Sequence, residues 1–254
     1  MIEIKILISP TMRMEEDNEG FPHKQLPKLL SDAQILLEYL QSLNYEELKN
    51  IWKCSDKLAE LNFERITQMD LNKKLTPAIL SFQGLQYQHI AADVFTYEEL
   101  DYLEEHLRIL SGFYGVLKPL DGITPYRLEM KAKFEDWKYE SLYNFWADKI
   151  SRVIDSENEY ILNLASKEYS QTITKYIDEK NRVIDYVFGE LIDGKVKQKG
   201  TLAKMARGEM VRFMAEDKIK DVEKTKEFDR LNYLNSEEFS DETTFVFIKH
   251  DMSN

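Results

Sequence analysis

The run from Glu105 to Lys133, EHLRILSGFYGVLKPLDGITPYRLEMKAK, constrains the chain most, because a helix-period apolar pattern enters a segment punctuated by glycine and proline and studded with cations. Upstream, Thr96 and Glu99 form a capping-box start, and Leu100, Leu103, Leu107 and Leu110 recur at a spacing that puts them on one helix face. This predicts a helix running to Leu110 and ended by Ser111-Gly112 and Gly115, since a glycine in a helix interior is unfavourable. Pro119, Asp121-Gly122 and Pro125 then turn the chain repeatedly. Arg108, Lys118 and Arg127 are spaced along the stretch. Such a loop either places cations for recognition or is a scaffold corner whose charges are solvated, and the pattern allows both.

A chain of 254 residues can bury a large core, and 43% hydrophobic with 31% charged residues is the balance of a globular protein rather than a disordered one. No run approaches the roughly 18 apolar residues of a membrane span. The start, MIEIKILISP, carries an early acid and reads as a strand rather than a secretion signal, so a cytoplasmic location is expected. Cys54 is the single cysteine, which rules out an internal disulfide and a paired-cysteine metal site. The net charge of −12 argues against general adhesion to phosphate. Charge is nevertheless segregated: Lys195 to Phe213 holds six bases against one acid, and Asp217 to Glu242 holds nine acids against five bases.

In chain order, Glu3 to Ile8 reads as a first strand ending at Ser9-Pro10, and Pro27 to Leu43 as a helix with Leu30, Ala33, Leu37 and Leu40 inside. Asn44 with Glu47 caps a short helix. In the following helix Leu58, Leu61 and Met69 share a face with Asn62 and Arg65, so Arg65 either meets an internal carboxylate or opens into a pocket for an anion. Thr76-Pro77 reads as a helix start, Phe82 to Tyr87 as extended, Ser141 to Ile154 as a helix, and Tyr160 to Ala165 as a buried strand with Ser166 and Lys167 at its carboxyl end. Arg182 to Leu191 and Lys195 to Lys199 flank Asp193-Gly194 as a hairpin. A helix from Thr201 carries Lys204, Arg207 and Arg212 on one side around Gly208, where a glycine admits a phosphate or another backbone. Thr244 to Lys249 is a last strand. With no repeat, linker or composition break, residues 1–254 read as one domain of mixed α and β structure, a central mixed sheet surrounded by helices.

The four histidines show no zinc spacing, and P-loop, dinucleotide and nucleophile-elbow motifs are absent. No cofactor is expected. Glu129, two residues after Arg127, is placed to orient that arginine or to act as a base.

The run LRILSGFYGVLKPLDGITPYRLEM resembles the signature of the YaaA family of bacterial peroxide-stress-resistance proteins, and SDKLAELN, LYNFW, NLASKEY and AKMARGEMVRF continue the resemblance in order from Ile4 to Lys249. The resemblance implies an α/β fold particular to the family with a helix-hairpin-helix-like element. It also implies a cytosolic protein that limits iron-dependent oxidative damage and binds DNA through a positively charged cleft. The cleft cations it implies are Lys57, Arg65, Arg108, Arg127, Lys204 and Arg207, with Lys118 and Arg212 beside them. Two positions depart from the family pattern: Thr11-Met12 stands where Ala-Lys usually follows Ser-Pro, leaving Arg13 as the nearest cation, and Lys131 replaces a glycine.

Two function classes follow. One is a DNA-binding stress protein that is not an enzyme and holds backbone phosphates. The other is an enzyme acting on a nucleotide, nucleobase or damaged nucleic acid, with the same cations on phosphate and Glu129 or Ser166 near the chemistry. Direct iron sequestration is disfavoured by the lack of a clustered ligand set.

Overall fold

The computed structural model describes residues 4–17, 20–154, 160–177 and 182–250. The first strand, β1 (Ile4–Ile8), is buried along its whole length, with Glu3 outside the described residues. A short β2 (Arg13–Met14) leads to three helices, α1 (Leu30–Ser42), α2 (Tyr45–Trp52) and α3 (Asp56–Gln68). The box at Asn44 and Glu47 caps α2 as expected, with the Asn44 side chain on the Glu47 N–H and the Glu47 carboxylate on the Asn44 N–H. Lys53, left-handed at φ 45°, turns the chain from α2 into α3, and the two helices pack as a hairpin. The inner face of α3 is not the expected one. Ala59, Asn62 and Ile66 are buried, whereas Leu58 and Leu61 are 42% and 43% exposed; Asn62 Nδ2 donates to the Leu58 carbonyl of its own helix and its Oδ1 is buried without a partner.

The next segment departs from expectation as well. Thr76-Pro77 is not a helix start but β3 (Thr76–Pro77), and the Thr76 hydroxyl takes the Asp17 N–H instead of capping. One turn, α4 (Ala78–Ser81), then β4 (Phe82–Gln83) follow, and the remainder of the expected extended piece is helical, α5 (Leu85–Ile90). After α6 (Tyr97–His106), whose Thr96–Glu99 box forms as expected, the helix stops at His106. Leu107 and Leu110 belong instead to a central strand, β5 (Leu107–Ser111), pairing in parallel with β1. A strand buried on both faces gives a continuous apolar run that helix periodicity can mimic, and only the distant partner decides between them.

The glycine- and proline-rich stretch holds β6 (Gly115–Leu117) and β7 (Gly122–Ile123). It is a buried loop rather than a surface one, with Phe113, Tyr114, Leu120, Tyr126, Leu128 and Met130 all in the core. Polar groups along it are paired internally, Arg127 Nε excepted. Gln25 Nε2 bridges the carboxylates of Glu104 (2.8 Å) and Asp121 (2.7 Å), Asp121 takes the Lys118 N–H, and Glu104 takes the Leu120 N–H.

The expected helix from Ser141 is broken at Ala147, φ 43°, into α7 (Leu142–Trp146) and α8 (Lys149–Ile154). Then come β8 (Tyr160–Asn163), α9 (Lys167–Thr174), the long β9 (Arg182–Ile192), β10 (Lys195–Lys197), α10 (Gly200–Glu216), β11 (Tyr233–Asn235) and β12 (Thr244–Lys249). Asp193 and Gly194, at φ 53° and 71°, make the left-handed turn that a two-residue hairpin needs between β9 and β10.

The strand order is β11-β12-β9-β8-β1-β5-β6, with β10 extending from the far end of β9. Strands β12, β9, β8, β1 and β5 are mutually parallel, and β11, β6 and β10 pair antiparallel. The result is the expected mixed sheet with helices packed on it, α6, α8, α9 and α10 among them.

Gly208 of α10 lets a second backbone approach: a Cβ there would stand 2.3 Å from the Gln86 carbonyl oxygen of α5. Gly208→Ala is expected to destabilise the fold by about 1–3 kcal/mol through overpacking. Gly200→Ala, with no atom within 4 Å, should be neutral or stabilising; paired denaturant melts read both. Burial pushes the Asp121 carboxyl up to about 6 against the Gln25 and Lys118 hydrogen bonds, with Glu104 reinforcing the rise. A raised carboxyl stabilises the fold only while protonated, so this contribution is complete below the ordinary value and lost as pH rises through about 6. Between pH 4 and 7, wild type should lose about 2–3 kcal/mol relative to Asp121→Asn, measured as the difference in unfolding free energy at each pH.

Candidate functional site

The connection after β1 runs toward β5 and the connection after β8 runs the other way, toward β9, so the sheet has its topological switch point between β1 and β8. Open α/β sheets bind ligands at the carboxyl ends of strands at such a point. Here Ser9 and Ser166 meet. The Ser166 N–H donates to Ser9 Oγ at 2.9 Å, Ser9 Oγ lies 3.3 Å from Ser166 Oγ, and the Tyr87 hydroxyl donates to the Ser9 carbonyl at 3.0 Å. Parallel register sets Asn163 between Leu7 and Asp185; its Nδ2 donates to Asp185 at 2.6 Å and its Oδ1 takes the Ala165 N–H.

On the β9 side Arg207 from α10 is largely buried near Asp185. Burial pushes its guanidinium below the ordinary value, the Asp185 carboxylate opposes that, and Nε has no acceptor. On the β5 side Ser111 Oγ lies 2.6 Å from the Tyr126 hydroxyl and takes the Phe113 and Tyr114 N–H groups. Arg127 follows, and its Nε is also buried without a partner. Gln86 Nε2 on α5 and the Tyr169 hydroxyl on α9 are buried without a hydrogen-bond partner of good geometry. Burial raises the Tyr87, Tyr126 and Tyr169 hydroxyls above their ordinary value, so they are neutral donors and acceptors at physiological pH. An unpartnered buried polar atom costs about 1–3 kcal/mol, and the polar atoms converging here are unusual without a ligand to complete them.

The structure divides the eight cations singled out in the sequence. Arg127 and Arg207 flank the switch point. Arg65 makes no ion pair with a carboxylate among the described residues; it donates to the Met14 carbonyl at 3.3 Å and lines a groove of about 450 Å³ with Glu16, Thr124 and Pro125, one step along the chain from Tyr126 and Arg127. Burial lowers its pKa against the field of Glu16 and Glu15. Lys57 and Lys204 are exposed, on the first turn of α3 and on α10. Arg212 does not share a face with Arg207. Its Nε donates to Glu216 at 2.7 Å and its guanidinium covers the Phe95 ring, because five residues along a helix turn the side chain well away from its neighbour. Arg108 and Lys118 line a separate cavity at the β5–β6 edge.

Glu129 lies 3.6 Å from Lys131 and makes no hydrogen bond or ion pair with Arg127 among the described residues. Arg13 is exposed and paired with Glu15 at 2.6 Å, so it does not enter the site in place of a lysine at position 12. Ser166 does lie at the site. Ser9, Gln86, Tyr87, Asn163, Tyr169 and Asp185 were not anticipated. The polar residues that interrupt YILN and RVIDYVF were the available signal: Asn163 is a polar residue in a strand read as buried, whereas Asp185 is an exposed position. Among the described residues no group of three or more His, Cys, Asp or Glu side chains could hold a metal ion, and no helix is long and apolar enough to cross a membrane.

Comparison with known proteins agrees with the resemblance. A UPF0246 protein of Lachnoclostridium phytofermentans is 52% identical over 246 residues, covering 97% of this chain and 96% of its own. UPF0246 proteins of Desulfitobacterium hafniense and Pediococcus pentosaceus are 51% and 47% identical, covering 97% and 98% of this chain and 98% and 99% of their own. Residues 4–239 match the family described as peroxide stress protein YaaA, and the chain belongs to that family.

Proposed function

We propose that this peroxide stress protein acts in the cytoplasm by binding DNA through a cationic surface centred on Arg127 and Arg207, and so helps limit iron-dependent oxidative damage. The observation that carries this reading is the pair of arginines whose Nε groups are buried and unpartnered on either side of the switch point. Both residues are part-exposed, so with Nε enclosed it is the Nη groups that a phosphate oxygen can reach. In a chain of net charge −12, phosphate affinity has to come from such a local arrangement. Exposed Lys204 stands one turn from Arg207 on α10, and Arg65, Lys73 and Lys74 line a groove that they share with Glu16, Glu64 and Asp70. The α2–α3 hairpin, with exposed Lys53 and Lys57, supports the helix-hairpin-helix-like element that the family resemblance implies, with N–H groups at the start of α3 available to a backbone phosphate.

A second reading has its own support: the network of Asp185, Asn163, Ser166 and Ser9, with neutral tyrosines around it, is suited to a nucleobase or nucleotide entering beneath the arginines, which would make the protein an enzyme on nucleotides or damaged nucleic acid.

Equilibrium binding to fluorescent single-stranded, duplex and mismatched DNA across a salt series tests both. Wild type should bind at low salt and weaken as salt rises. Arg127→Gln with Arg207→Gln should bind more weakly and flatten the log–log salt slope by about 2, one unit per lost phosphate contact. Lys24→Ala, an exposed lysine paired with Asp101, should change nothing. Absence of low-salt binding, or an unchanged slope in the double variant, sinks the DNA reading. The enzymatic reading expects Asp185→Asn to keep binding and lose turnover in a nucleotide and damaged-DNA screen; a screen in which wild type turns over nothing rejects it.

A further inference from the structure

The chain from Gly20 to Leu29, ahead of α1, has no regular structure apart from one bridge that pairs Gln25 with Asp121. It forms a strap fastened to the buried loop between β6 and β7. Two backbone bonds hold it there: the Lys24 N–H donates to the Leu120 carbonyl at 2.9 Å, and the Gly122 N–H donates to the Gln25 carbonyl at 2.8 Å. Gln25, Leu26, Lys28 and Leu29 of the strap also form one wall of the sheet-edge cavity, about 630 Å³. Whatever secures the strap at Gln25 therefore keeps that wall closed.

The side-chain fastening is a pair of carboxylates on one amide. Gln25 Nε2 donates to both Glu104 and Asp121, so the two accepting oxygens lie within two hydrogen-bond lengths of each other. Asp121 is 2% exposed and the Glu104 side chain 13%. Each carboxylate has one further backbone donor, the Lys118 N–H on Asp121 and the Leu120 N–H on Glu104. Like charges this close, removed from water, disfavour double ionisation, so the intact cluster favours keeping one proton.

The surrounding charges offset this only in part. Lys118 Nζ stands 3.8 Å from Glu104 but is 46% exposed, and Arg108 directs Nη1 to the Glu104 and Leu107 carbonyls. Lys24 pairs with Asp101 on α6, and the His23 ring lies against Gly122. Across the cavity, Lys149 and Arg152 pair with Asp32 and Asp148. Burial pushes Asp121 up to about 6, with the Glu104 charge adding to the rise.

We propose that Glu104, Gln25 and Asp121 form a proton-dependent latch: the strap is held while the carboxyl pair keeps a proton, and it opens, with the cavity wall, as the pair becomes doubly ionised. A carboxyl raised in the closed state favours closure at low pH, and that advantage is lost as pH rises through about 6. A rise of about two units changes the closure constant about tenfold between pH 5 and 7.5.

Hydrogen–deuterium exchange of the full-length chain, read by mass spectrometry at pH 5 and 7.5 and corrected for intrinsic rates, tests the latch. Peptides carrying Lys24 and Gly122 should be less protected than β1 at both values, and should lose about tenfold in protection between them. Asp121→Asn and Glu104→Gln each remove one charge from the pair. In either variant the ratio of protection between the two pH values should fall to about one, whatever its absolute level. His23→Gln should keep the wild-type ratio, and circular dichroism confirms that each variant is folded. Strap protection equal to that of β1 would mean that the strap opens only with the whole fold, and would overturn the proposal. So would a pH-independent wild type, a ratio unchanged in both folded charge variants, or a ratio abolished by His23→Gln.

Discussion

The pairing of β1 with β8 is the contact on which the site depends. It sets Leu7 beside Asn163, joins Ser9 to Ser166, and through Asn163 fixes Asp185 on β9. These hydrogen bonds link three strands that are remote in sequence. They also put small polar side chains, rather than bulky apolar ones, at the carboxyl ends of the central strands. The arginines are then added from outside the sheet, Arg207 on α10 and Arg127 on the buried loop after β7. Their positions follow from packing: α10 is held close to α5 at Gly208, and the loop is held by Tyr126 on Ser111 and by the Gln25 bridge.

Burial creates both the chemistry and the instability of this arrangement. The tyrosines are kept neutral, the two guanidinium Nε groups lack acceptors, and Asp121 is held near a mid-range pKa. The two unpartnered Nε groups lower the stability of the fold and favour a ligand that completes them. The two cationic regions differ in this respect. At the switch point Arg207 stands by Asp185 and neutral amides and hydroxyls, whereas at the sheet edge Arg108 donates to the Glu104 and Leu107 carbonyls and Lys118 stands 3.8 Å from Glu104.

Local signals in the sequence were legible wherever a side chain answers its own backbone. The capping boxes at Asn44 and Thr96, the Asp193-Gly194 turn and the isoleucine-rich first strand all form as read. Reading fails where the deciding partner is distant. Leu107 to Ser111 looks helical until β1 claims it, and Leu58 with Leu61 looks internal until Ala59 and Ile66 take the packing face. The site shows the same limit. Arg127 and Arg207 could be picked out as cations, but nothing local distinguished their burial from the exposure of Lys57 and Lys204. Asp185 is a solvent-exposed position of an alternating strand, and only its bond to Asn163 on the neighbouring strand marks it out.

The central place of β1 also bears on synthesis. It is made well before its neighbours: Ile6 meets Leu107 only about a hundred residues later and Leu162 later still. At translation speeds of about 5–20 residues per second, that leaves the segment unpaired for roughly 5–20 s before its first neighbour exists. Ile-Lys-Ile-Leu-Ile is a β-prone sequence with every hydrogen-bonding edge open during that interval. Lys5, buried once the sheet has closed, is in the nascent chain the single charge interrupting this run, and so a gatekeeper against premature self-association.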